Sequence, residues 1–297
     1  MESFQEPRAD HRLCSAVRAG SIPSTQQAIE ELKNAGWPVP LSRAMVTCIE
    51  TTNFPALLLL LSYGAVDEEV AEAAAMSENI HIVQVVLEHG WCINSALRGG
   101  TIPSILRQVI VSYLQRAMLI KRSFATSNVD FLERLLELGA DPNAESNIGE
   151  TALSFAIREG TMNVVKRLIA AGADVTKGDV LHCTARREPS EDIYDLVTML
   201  VKGGALVDTY QWDNKRGRQM RLGYPQGTAL HNACKEGNYP AAAALLAYGA
   251  DPHCLKKRGE RLGPPSPVEI TRPQTEMRKL LESYAQSQAT DGVCFNS

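Results

Sequence analysis

The sequence predicts an all-α solenoid of about eight repeated units with one elongated β-hairpin finger, and three observations carry that reading. Two segments, GETALSFAIREGTMNVVKRLIAAGAD (149–174) and GTALHNACKEGNYPAAAALLAYGAD (227–251), align without a gap through most of their length. Gly139, Gly172 and Gly204 follow one another at intervals of 33 and 32 residues, each after an aliphatic run. Periods of this size mark stacked repeats rather than a globule. Aromatic residues make up only 6% of the chain, which suits small side chains between helices better than a sandwich core.

In the two clear units a small residue precedes the last glycine by 16 residues, Ala156 before Gly172 and Ala233 before Gly249. The same ruler finds Cys48 before Gly64, Ala74 before Gly90 and Ser123 before Gly139. Ala16 to Gly36 and Thr184 to Gly204 are 20 apart, so a four-residue extension between the two helices of each of those units is expected, in SIPSTQQ and REPSEDIYD. A tail at 1–9 thus precedes a single array at 10–286, with degenerate units over 10–94 and clearer units over 142–257. A terminal unit follows at 258–286, its second helix near Gln274 to Tyr284, and then a tail at 287–297.

Two stretches break the period. Gly90 and Gly139 are 49 residues apart, and the remodelled unit 95–141 carries Pro103 followed by Ile105, Leu106, Val109, Ile110, Tyr113 and Leu114 at helical spacing. An extended inner helix or an additional one is expected there. Gly204 and Gly249 are 45 apart. Here the finger 207–226 places Asp213, Asn214 and Gly217 between Val207, Tyr210, Trp212 and Met220, Leu222, Tyr224, the pattern of a β-hairpin.

The opening Thr-Ala-Leu, the small residue before the turn and the closing Gly-Ala-Asp resemble the ankyrin repeat, a unit of about 33 residues. The resemblance implies paired antiparallel helices, a projecting turn and a concave groove that binds partners through turn tips and inner helices. Gly-Trp-Cys-Ile-Asn at 90–94 is similar to stand-alone fungal ankyrin proteins, implying a filamentous-fungal source. The resemblance also gives His182 and His231 a structural task, hydrogen bonding the turn between units. Physically, small residues let helices approach closely, and the glycines supply a left-handed stop.

Composition narrows the function. With 30 basic against 34 acidic residues the net charge is −4, so nucleic acid is not an expected partner. The longest apolar run, Ala56 to Leu61, is far short of the roughly 18 residues that span a bilayer. The charged amino terminus lacks a signal core, so no membrane association is expected, and the location is intracellular, cytoplasmic or nuclear. Seven cysteines without a Cys-x-x-Cys motif read as reduced thiols. His182, Cys183, His231, Cys234, His253 and Cys254 match no zinc spacing, no cofactor motif is present, and neither metal nor cofactor is expected.

Binding is therefore the expected function: a scaffold or adaptor whose groove and finger hold an acidic protein. Lys215, Arg216, Arg218 and Arg221 against Asp208 and Asp213 give the finger a local charge of +2, which invites an anionic partner. Aligned units place Arg158, Arg186 and Lys235 in one ladder on the groove side, with Arg187 and Glu236 beside it. Arg158, Arg186, Arg187, Lys235, Glu236, Trp212, Arg216 and Arg218 are the expected contacts. The alternative is a small-molecule enzyme of fungal specialised metabolism, an acid/base cyclase, isomerase or hydrolase, acting on a small anionic ligand. Its pocket would use His182, Asp208, Tyr210, Asp213 and His231. A nucleophile could be drawn from Cys183 with His231, or from Cys234 with His182, although no catalytic motif is present.

Overall fold

Helices begin where the sequence supplies a capping side chain. Asn53, Asp67, Asn79, Thr151, Thr161 and Asn238 each accept a backbone N–H of their own first turn, satisfying donors that the helix leaves orphaned. Thr151 and Ser154 form a reciprocal capping box. Thr151 is buried, so Thr151→Ala is expected to lower stability by about 1 kcal/mol in urea unfolding. Gly172 (φ +89°) and Gly249 (φ +86°) stop their helices in the left-handed region, where a side chain would be strained.

The computed structural model describes residues 6–36, 39–95, 97, 104, 127–146, 148–213, 219 and 224–291. The helix expected over 103–114 and the tip of the finger lie outside them. The chain is a mostly helical repeat solenoid that divides into two compact units, Met1–Asp141 and Pro142–Ser297. The first holds α1 (Glu6–Arg18), α2 (Ile22–Asn34), α3 (Leu41–Glu50), α4 (Phe54–Leu61), α5 (Glu68–Met76), α6 (Ile80–Glu88) and α7 (Ser127–Glu137). The second holds α8 (Ala152–Glu159), α9 (Met162–Ala170), α10 (Val180–Ala185), α11 (Ile193–Lys202), α12 (Ala229–Glu236) and α13 (Tyr239–Ala247). It ends with strands β1 (Lys256–Arg258) and β2 (Arg261–Gly263), then α14 (Pro267–Ile270) and α15 (Glu276–Asp291).

Consecutive helices pair, and the pairs stack in two rows. In the first unit α1, α3 and α5 form an inner row. In the second, α8, α10, α12 and α14 form the inner row, while α11, α13 and α15 pack outside it. Ala156 and Ala233 are fully buried on the inner helices, with Leu168, Leu200 and Leu245 filling the outer seam. The extension before Gly36 lengthens α1 and α2 to 13 residues each, and the one before Gly204 falls in the loop between α10 and α11.

The β structure differs from the expectation. Residues 207–213 form turns rather than a strand. The two-stranded hairpin instead joins β1 to β2, and Gln226 bridges to Lys257. In the described part of the finger Gln211 is buried and Trp212 half-buried, while Tyr224 is exposed.

Two polar devices tie successive units together. Four residues after the stop glycine, Asn94 donates to the Gly139 carbonyl (3.0 Å) and accepts the N–H of Asp141 (2.7 Å). Asn143 does the same with Gly172 (2.9 Å) and Asp174 (2.6 Å). The Asn94 bonds tie the loop after Gly90 to the turn at Gly139. The second device reaches back to the end of the preceding inner helix: Asn53 donates to the carbonyl of Val17 (2.9 Å), and Asn238 to those of Ala185 (3.2 Å) and Arg187 (2.8 Å).

Candidate functional site

The second unit departs from its own pattern at the start of α10. In α12, Thr228 opens the helix and His231 follows three residues later. His231 Nδ1 accepts the Thr228 N–H (3.0 Å) and lies 2.9 Å from its hydroxyl, while Nε2 faces the Pro265 carbonyl at 3.2 Å. In α10 the threonine position is Asp179, held left-handed at φ 52°. His182 keeps the outward contact, Nε2 to the Gly227 carbonyl at 3.2 Å. Its Nδ1 has no hydrogen-bond partner among the described residues.

The Asp179 carboxylate turns instead to Trp212 and accepts its backbone N–H at 2.8 Å. Trp212 is also left-handed, at φ 57°, and this bond holds the turn on which it sits. Arg186, just past α10, donates to Gln211 Oε1 (2.9 Å) and lies 5.9 Å from the Trp212 ring centroid. Asn232 of α12 shares the same Gln211 oxygen at 3.4 Å. A cation over an indole face is attracted by about 0.5–1 kcal/mol. The arginine and the tryptophan are thus fixed as one surface across two repeats.

A cleft of about 550 Å³ adjoins this surface, lined by Glu145, Lys177, Asp179, His182, Tyr210 and Asp213 among others. Lys177 pairs with Glu145 at 2.8 Å and Lys257 with Asp213 at 3.5 Å. Lys257 also sits 5.5 Å from the Tyr210 ring centroid. Burial raises the Asp179 carboxyl to about 6, against the lowering effect of the Trp212 N–H and Arg186. Burial lowers His182 and His231 to about 4, the backbone carbonyls opposing it.

These shifts oppose one another in sign. The histidines bind fewer protons when folded, so stability rises from about pH 4 to their unfolded value near 6.5. Asp179 binds more protons when folded, so its contribution falls as pH rises from about 4 to about 6. Asp179→Asn is therefore expected to make the rise steeper than in the wild type, read from urea unfolding at successive pH values. An unchanged slope would remove the assigned shift.

The residues expected from sequence do not all come together. His182, Tyr210 and Asp213 line the cleft, and Trp212, held by the lining Asp179, and Arg186 stand beside it. Arg158 lies on the ladder with its charge compensated, 3.5 Å from Glu150 and 3.1 Å from Glu159, over the Phe155 ring, while Lys235 and Glu236 are exposed at the end of α12. Asp208 and His231 do not line the cleft. Asp208 accepts the Asp251 N–H (3.2 Å) and continues the loop ladder begun by Asn94 and Asn143. Arg187 points away from the groove, donating to the carbonyls of Ile157 (2.8 Å) and Gly160 (2.7 Å). Arg216 and Arg218 lie outside the described residues.

The Cys–His pairs have no activated thiol. Burial pushes Cys183 and Cys234 up to about 12, opposite to what a nucleophilic thiolate requires. Among the described residues no group of three or more His, Cys, Asp or Glu could hold a metal ion. No described helix is long and apolar enough to cross a membrane. Gln211 and the Asn94, Asn143 and Asp208 ladder were missed in the sequence. The ladder has a signal, since each residue stands four positions after a turn glycine.

Paired helices stacked in two rows, with loops tied side by side, define a helical repeat protein. Residues 122–211 match the family described as Ankyrin repeats (3 copies), and residues 226–254 the Ankyrin repeat. The chain is an ankyrin-repeat protein, and domains of this kind typically bind proteins. It is 29% identical over 184 residues to the human Mitochondrial disaggregase, covering 54% of this chain and 25% of that protein. It is 24% identical to the Ankyrin repeat protein nuc-2 of Neurospora crassa, covering 85% of this chain and 26% of that one. The chain thus spans about a quarter of the length of these two relatives. Among solved structures it resembles the human ASB11 ankyrin repeat domain, with TM-score 0.52, 19% identity, and coverage of 83% of this chain and 98% of that one. An ankyrin repeat domain from Acinetobacter baumannii AYE gives TM-score 0.51 and 23% identity, covering 74% and 99%.

Proposed function

We propose that this chain is a protein-binding scaffold or adaptor of about eight ankyrin units, whose second unit recognises a partner with an acidic surface. The observation that carries the reading is the Arg186–Gln211–Trp212 cluster. Interfaces draw most of their energy from a few Trp, Tyr and Arg side chains held in place before binding. Here the Trp212 backbone is tied to Asp179, and Arg186 is steered onto the ring by Gln211. Lys235 extends the cationic face from α12, and Arg216 and Arg218 on the finger belong to the same proposed contact.

The test is affinity capture from a lysate of the source cells, with wild type beside Trp212→Ala and with eluted proteins and small molecules both analysed by mass spectrometry. A protein held by wild type and lost by the variant is expected, with retention falling as salt rises, since exposed charges are screened over about 8 Å at physiological ionic strength. Recovery of only a small molecule would point to the cleft and overturn the scaffold reading.

A further inference from the structure

The hairpin that follows α13 has a register from which its two faces can be read. Lys257 exchanges both backbone hydrogen bonds with Gln226, at 2.6 and 2.8 Å, so its N–H and C=O point away from β2. Lys257 and Leu262 are therefore a non-hydrogen-bonded pair, and the flanking pairs Arg258 with Arg261 and Lys256 with Gly263 are the bonded ones. Residues directly opposite share a face, and successive residues alternate. One face carries Lys257, which turns to Asp213 and Tyr210. The other carries Lys256, Arg258 and Arg261.

That second face is unusual in charge. Like charges directly opposite one another destabilise a sheet, yet Arg258 faces Arg261. Lys256 is held below the ordinary lysine range first by burial and then by the charge of Lys235, an exposed residue at the end of α12. None of the four has a carboxylate within ion-pair distance among the described residues; Glu236 and Glu260 are their sequence neighbours. Gly263 opposite Lys256 adds no side chain, and on this face Arg258 and Arg261 are exposed while Lys256 is half-buried. The chain as a whole is acidic, at −4, so the concentration is local.

We infer that Lys235, Lys256, Arg258 and Arg261 form a docking face for an extended acidic segment, rich in Asp and Glu, of a partner protein. The inference builds on the reading of an acidic partner, but places this contact on the hairpin rather than on the Arg186–Trp212 cluster. Carboxylates laid along the face would relieve the Arg258–Arg261 and Lys235–Lys256 repulsions together.

The test is fluorescence anisotropy of a labelled octaglutamate peptide on the full chain, with an eight-nucleotide oligothymidylate as the competing polyanion. Octaglutamate is expected to bind, to weaken as salt rises, and to weaken by about tenfold or more in Arg258→Glu/Arg261→Glu. Lys202→Glu, an exposed charge reversal on α11 outside the proposed face, is expected to leave binding within about twofold. Circular dichroism melting confirms that each variant folds. If the hairpin variant misfolds, Arg258→Gln/Arg261→Gln replaces it. Equal loss from the Lys202 variant, unchanged binding in the hairpin variant, no binding by wild type, or tighter binding of oligothymidylate would overturn the inference. Peptide binding lost in Trp212→Ala but kept in the hairpin variant would leave the groove reading standing and remove this one.

Discussion

Replacing Arg187 by alanine is expected to destabilise the second unit by about 2–3 kcal/mol, read from urea unfolding. The guanidinium is 13% exposed and donates to two carbonyls that close α8, those of Ile157 and Gly160. A hydrogen bond to a charged group contributes about 1.5–3 kcal/mol, and two on one fork do not simply add. The lower part of that range is favoured because Arg187 Nε is buried without a hydrogen-bond partner among the described residues. Arg187→Lys keeps the charge but not the fork, so it is expected to recover only part of the loss. Binding per folded molecule should be unchanged, because the side chain is directed into the stack. A variant that folds normally but binds poorly would return Arg187 to the groove.

Trp212→Ala is expected to weaken partner binding by about thirtyfold, or about 2 kcal/mol, the lower bound for a hot-spot residue. Its effect on stability should be smaller, since the Asp179 bond is made by the backbone N–H, which alanine retains. Titration of the captured partner against wild type and variant, beside urea unfolding of both, separates the two effects. Loss of stability with unchanged affinity would make Trp212 a packing residue.

The contrast between these arginines shows what the sequence could convey. The stacking of α8 to α15 was legible because glycine stops and small helix residues recur at fixed intervals and packing permits few alternatives. Arg186 and Arg187 look alike in sequence, adjacent cations after the same helix. Their roles separate only in three dimensions, where the extension before α11 places a residue that must reach back to α8. In α13 the shorter Asn238 serves the same purpose.

Other differences have similar causes. Alternating Val207, Tyr210 and Trp212 satisfied a strand pattern, but the left-handed Trp212 and the Asp179 bond make a turn. The β1–β2 hairpin was hidden because its strands are three residues long and mostly charged, with little apolar alternation to detect. Asp208 read as a pocket acid because it lies in the finger expected to cover the groove, whereas its position four residues after Gly204 puts it in the loop ladder.

Site-specific photo-crosslinking tests the central claim most directly, with a photoreactive amino acid placed in turn at Arg186, Lys235 and, as a reference outside the proposed contact, the exposed Lys202. A crosslinked protein partner from positions 186 and 235 but not 202, abolished by adding Trp212→Ala, is the predicted result. Crosslinks of equal yield at 202, or none at 186 and 235 while the partner is still captured, would contradict the account and place recognition elsewhere on the chain.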